Sequence, residues 1–149
     1  MKQDFYNYEV GNDGLYFSFT SVSEHKIIPK IIVYTPFPND PNFFNLALGD
    51  ILENGEISDL TVSNNSDMEK VIATVIRTMF NFFENHPDKL IYFKGSTPER
   101  TRLYRIIITK ELNEANKLFD LYGIIDDRLE DFEINRPYQS FVIGLKSAY

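Results

Sequence analysis

Two periodicities divide this chain. Over roughly its first 60 residues apolar and polar side chains alternate, as they do in strands with one buried face. Leu15, Phe17 and Phe19 fall on one side, and Tyr16, Ser18 and Thr20 on the other. Residues 5–10 mix aromatic with polar side chains, and Gly11-Asn12-Asp13-Gly14 tolerates positive φ, so a hairpin is expected there. A third strand is expected over 26–34, with Pro29 at an edge or bulge because it brings no amide to a ladder. Pro36, Pro38 and Pro41, set among Asn39, Asp40 and Asn42, read as a loop. Residues 43–51 form a fourth strand. Asn54-Gly55, a type I′ turn signal, sends it back into a short fifth over 57–62.

The period then changes to that of a helix. Ser66-Asp67-Met68-Glu69 has the form of a capping box. Val71, Ile72, Val75, Ile76, Met79, Phe80 and Phe83 make an apolar stripe, with Lys70, Thr74, Arg77, Thr78, Asn81 and Glu84 opposite. This predicts an amphipathic helix lying on the sheet and ending near Asn85-His86-Pro87. A short buried strand over 89–94 follows. A second capping box, Ser96-Thr97-Pro98-Glu99, with proline in the first turn, opens a helix running to about Leu112. Residues 118–125 and 138–145 read as two last strands separated by an acidic loop. The expected fold is α+β, a two-layer sandwich. It has a mainly antiparallel sheet with an N-terminal strand meander and two helices packed on one face, in a single globular domain over 1–149.

The second helix carries the functional expectations. Leu103, Tyr104, Ile106, Ile107, Ile108 and Leu112 spread over roughly two-thirds of its circumference, whereas a helix on a sheet needs about 100° of apolar face. Leu103, Tyr104, Ile106, Ile107 and Ile108 are therefore a candidate interface for a second copy or a protein partner. The polar lane left over holds Arg102, Arg105 and Thr109. It sits in a basic island: residues 94–110 carry five basic side chains (Lys94, Arg100, Arg102, Arg105, Lys110) against Glu99 alone. Ser96 and Thr97 at a helix N-terminus, with Arg100, Arg102 and Arg105, form a candidate anion site, since free amides, the helix dipole and guanidinium forks suit a phosphate or carboxylate. The competing role for these arginines is pairing with the protein's own acids.

Composition narrows the rest. The chain has 149 residues, with 22 acidic and 15 basic side chains for a net charge of −7. That balance disfavours wholesale capture of nucleic acid or anionic membrane. No cysteine is present, which excludes a disulfide framework, a thiolate metal site and a cysteine nucleophile. No apolar run is long enough to span a bilayer, and no leader is apparent, so a cytoplasmic address is expected.

Gly95-Ser96-Thr97-Pro98-Glu99-Arg100-Thr101-Arg102-Leu103-Tyr104-Arg105 resembles the signature of an uncharacterised bacterial family of small single-domain proteins, a domain of unknown function. Phe44-Asn45-Leu46-Ala47-Leu48-Gly49-Asp50, Val62-Ser63-Asn64-Asn65, Asp67 with Glu69-Lys70-Val71, and Leu121-Tyr122-Gly123 share its pattern, so the likeness runs through the whole chain. It implies a family and carries over no activity, ligand or catalytic residue.

Other chemistry fares poorly. His25 and His86 are far apart and share no ligand spacing with carboxylates, so no metal is expected. No GxSxG elbow is present for a serine triad. Read as a calcium loop from Asp50, the sequence puts Leu52 where an oxygen ligand belongs, and a solvated hairpin turn accounts better for Asp50, Glu53, Asn54, Glu56 and Asp59. The acidic run 126–131 reads as a solvated loop or as an internal partner of the arginine lane. Phe5, Tyr6, Tyr8, Tyr16 and Tyr34 are either a stacking platform for single-stranded nucleic acid or core and edge residues. The reading that results is a non-enzymatic, cofactor-free interaction module, self-associating or partner-binding through the helix over about 97–112. The alternative is a domain binding a phosphate-bearing ligand or a single strand at 95–105.

Overall fold

A computed structural model describes residues 4–23, 26–58, 67–95, 97–110 and 116–146. Eleven labelled elements follow in chain order: β1 (Glu9–Val10), β2 (Tyr16–Val22), β3 (Ile27–Phe37), β4 (Asp40–Ile51), β5 (Ile57–Ser58), α1 (Met68–Asn85), β6 (Leu90–Phe93), α2 (Pro98–Lys110), β7 (Phe119–Ile125), β8 (Arg128–Asp131) and β9 (Ser140–Leu145). The strands are hydrogen-bonded in the order β1-β2-β3-β4-β6-β9-β7-β8, with β5 a spur on β4. The fold is α+β with an open, mostly antiparallel sheet; β4 and β6, joined through α1, are a parallel pair. The chain divides into two compact units: Lys2–Thr35 with Leu46–Asn85, and Pro36–Asn45 with His86–Tyr149.

In the first unit the alternation of β2 holds: Phe17, Phe19 and Ser21 are buried and the residues between them are not. The turn before it uses left-handed backbone at Asp13 and Gly14. Only Glu9 and Val10 of the expected first strand join the ladder, opposite Ser18 and Phe17. The residues ahead of them bind α1 instead: the Tyr6 N–H donates to Thr74 Oγ1 at 2.8 Å, and Lys70 lies over the Tyr6 ring. This rotates the buried face of α1 away from the one its sequence suggests. Thr74 and Thr78, expected outside, are fully buried, while Ile76 and Phe80 are half-buried. Both threonines are satisfied: Thr74 donates back to the Lys70 carbonyl, and Thr78 shares a 2.8 Å hydrogen bond with the Tyr34 hydroxyl and donates to the Val75 carbonyl. Tyr34 stacks on Phe82 with ring centroids 4.7 Å apart, and burial pushes its phenol well up.

Three other expectations change. Pro36 and Pro41 lie inside β3 and β4, with a tight turn at Pro38-Asn39 where a loop was expected. Phe37 packs against Phe43 and Tyr92, and this cross-strand aromatic contact carries the ladder past the prolines. Pro29 faces Thr20 in a strand with neighbours on both sides, where an edge or bulge was expected. An antiparallel residue aims its N–H at one neighbour only, so one bond is lost. Asp50 is no solvated turn residue: it is buried at the end of β4 and pairs with Lys30 Nζ at 2.5 Å. Ser66 and His25, residues 59–62 of the expected fifth strand, and residues 111–112 of the expected second helix lie outside the described residues.

In the second unit β9 sits between β6 and β7 and buries five successive residues, Ser140–Gly144. Phe93 of β6 stacks on Phe141 of β9 at 5.2 Å and meets Tyr104 of α2 at 6.2 Å, which seats the helix on the sheet. The acidic run is a hairpin, β7 turning into β8 at Asp126-Asp127, where a loop was expected. Both aspartates adopt the left-handed conformation that a two-residue hairpin turn demands.

Candidate functional site

The start of α2 is built from short-range chemistry. Thr97 is the cap: its hydroxyl oxygen accepts the Arg100 N–H at 3.1 Å, and its carbonyl accepts the Thr101 N–H at 3.0 Å. The cap therefore falls one residue later than the Ser96 box suggests, which puts Pro98 at the first helical position, where no amide is needed. Gly95 donates its N–H to Thr101 Oγ1 at 3.0 Å, so the backbone leaving β6 lies tight against the first helical turn. A Cβ at Gly95 would run into the Thr101 backbone nitrogen and the Arg100 side chain.

Beside this junction is an open cleft of about 530 Å³. Lys94 and Gly95 line it from the end of β6, Thr97, Pro98, Thr101, Arg102 and Arg105 from α2, and Pro137, Tyr138 and Gln139 from the approach to β9. Thr101 or Arg102 and Arg105 follow Pro98 at helical spacing, so one side of α2 supplies the cationic wall.

The facing wall is held rigidly. Tyr138 is buried against Gly123, whose hydrogen leaves the room the ring occupies; a Cβ there would collide with it. The Tyr138 hydroxyl donates to Glu130 Oε2 at 2.8 Å and accepts the Glu133 N–H at 2.9 Å. Arg136 closes a fork on Glu130, with Nε 3.0 Å from Oε2 and Nη2 2.6 Å from Oε1. The Arg136 hydrogen bonds, then that of Tyr138, hold the Glu130 carboxyl below its ordinary pKa. Burial, then the hydrogen bond to Glu130, raises the Tyr138 phenol. Gln139 completes the wall: its N–H donates to the Ile124 carbonyl at 2.8 Å, and its side-chain oxygen accepts the Asp126 N–H at 3.1 Å.

Of the expected anion-site residues, Thr97, Arg102 and Arg105 line the cleft; Arg100 is half-buried outside it, and Ser96 lies outside the described residues. Lys94, Thr101, Pro137, Tyr138 and Gln139 were not among the expected site residues. Lys94 was visible in the charge count, and Gly123 was the only local hint of the packed tyrosine. Among the described residues Lys94, Arg102 and Arg105 have no carboxylate partner. Glu130 of the acidic hairpin is held by Arg136, so it is not the partner of the arginine lane.

The candidate interface divides. Tyr104, Ile107 and Ile108 are buried within their own chain, Leu103 is half-buried, and Ile106 is 49% exposed. The aromatic platform disperses: Tyr34 is core, Tyr6 stacks on Phe19, Tyr8 meets Phe17 edge-on, and Arg77 covers Phe5. Tyr16 alone of the five has no such contact among the described residues and is 41% exposed. Among the described residues no group of three or more His, Asp or Glu side chains is placed to hold a metal, and no helix is long and apolar enough to cross a membrane.

Fold and site together define a small α+β protein with a cationic cleft at a strand-to-helix junction. The chain belongs to a family of unknown function, DUF6934, whose sequence profile spans residues 2–146. No curated protein and no solved structure matches it.

Proposed function

We propose that the cleft beside α2 binds a phosphate-bearing anion. The observation that supports this is the charge of its lining: Lys94, Arg102 and Arg105, with no carboxylate among the described lining residues, in a chain whose net charge is −7. Cations that are unpaired within a cleft favour an anionic oxygen cluster through charge-assisted, forked hydrogen bonds. A small ligand is favoured over a single strand of nucleic acid, because four of the five aromatic side chains that would stack bases are engaged elsewhere and the fifth, Tyr16, does not line the cleft.

The test is to replace Arg102 and Arg105 by alanine and titrate the protein with pyrophosphate in a calorimeter. Each lost charge-assisted bond is worth about 1.5–3 kcal/mol, so affinity should fall about tenfold or more for each arginine replaced while the melting temperature holds. An unchanged affinity, or a collapse in stability, would return these arginines to a structural role.

Self-association or partner docking through α2 is the second reading, supported by the exposure of Ile106 beside half-buried Leu103.

A further inference from the structure

We propose that the cleft recognises a linked phosphate chain, a di- or triphosphate group, rather than a single phosphate; this rests on the anion-site reading above. The argument starts from which hydrogen-bonding atoms are still available. The Asp126 backbone N–H can only donate, so it fixes the Gln139 amide with its oxygen toward that turn. Both N–H donors of Gln139 remain uncommitted. The Thr97 oxygen already accepts the Arg100 N–H, which leaves its hydroxyl proton to give. The Thr101 hydroxyl is consumed between the Gly95 N–H and the Thr97 carbonyl. Lys94, Arg102 and Arg105 carry donors only.

The described side chains of the cleft thus offer mainly donors: three cations, the Gln139 amide N–H groups and the Thr97 proton. A sugar or a peptide, whose hydroxyls and amides must also donate, matches that set less fully than a ligand that only accepts. A phosphate chain has acceptor oxygens along its whole length. Its charge must also match three cations delivered from two elements, Lys94 from the end of β6 and the arginine pair one helical turn apart on α2. The volume of about 530 Å³ lies in the range of small-molecule sites, larger than one tetrahedral anion requires. No exposed ring is present for a base, since Tyr138, the one aromatic in the lining, is 3% exposed. The phosphate chain itself is therefore what the cleft reads.

The experiment is calorimetric titration of the full chain, without divalent metal and at fixed ionic strength, with orthophosphate, pyrophosphate, tripolyphosphate and a nucleoside triphosphate. Tripolyphosphate should bind at least about tenfold tighter than orthophosphate, and the nucleoside triphosphate no tighter than tripolyphosphate. Gln139→Glu keeps the shape and the Asp126 contact but replaces the donor end by a charged acceptor, so it should weaken tripolyphosphate about tenfold or more. Equal affinity for orthophosphate and tripolyphosphate, indifference to Gln139→Glu, or binding of the nucleoside triphosphate alone would each overturn the phosphate-chain inference while leaving an anion site. Failure of all four anions to bind would overturn the anion site itself.

Discussion

Lys30 has no exposed surface and its partner Asp50 only 5% of its side chain, so the ion pair between them is shielded from water. Taking Lys30 away leaves the Asp50 carboxylate buried without its cation. Lys30→Met should cost about 3–5 kcal/mol, measured by urea unfolding, whereas Lys30→Met with Asp50→Leu should recover most of that loss. Both residues could be seen in the sequence as lone charges in apolar strands, Lys30 between Pro29 and Ile31 and Asp50 between Gly49 and Ile51. Nearness to Asn54-Gly55 disguised Asp50 as part of a wet turn. Glu130 makes a different prediction. Its carboxyl is held below the ordinary range chiefly by Arg136, so its contribution is present above the unfolded-state value and fades as pH falls through the lowered native value. Arg136→Ala should move the Glu130 midpoint upward in a carboxyl carbon NMR titration; an unmoved midpoint would mean the fork is not its cause.

At the level of elements, periodicity located the helices and nearly every strand, although the face that α1 buries is rotated from the one its sequence suggests. Contacts between distant segments were not legible in that way. Thr74 and Thr78 look solvent-facing on a helical wheel, yet Tyr6 and Tyr34 supply the polar partners that let them be buried. The cleft shows the same division. Its α2 wall was legible in the arginine spacing, while the wall at 137–139 exists only because β7 has a glycine where Tyr138 must lie. Gly123→Ala should therefore displace the ring, costing about 1–3 kcal/mol of stability, and should weaken pyrophosphate binding by moving Gln139. Normal binding in that variant would show that the wall tolerates the shift.

At the scale of the molecule, the cationic cleft opposes a net charge of −7, so the rest of the protein repels the ligand the cleft attracts. The burial of Tyr104, Ile107 and Ile108 leaves Ile106 as the main apolar exposure of α2. Light scattering should accordingly give the mass of one chain, 17.4 kDa, at micromolar concentration; twice that mass would favour the self-association reading and make Ile106 the residue to change. The Lys30–Asp50 pair also bears on more than its own two strands. Lys30 and Asp50 lie in the same compact unit, so a misalignment of β3 and β4 there would be felt throughout that unit. A slip of β4 by one residue turns Asp50 to the opposite face and leaves Lys30 alone in an apolar interior. The pair thus acts as a key that fits one alignment, less by strengthening that alignment than by making its neighbours uninhabitable.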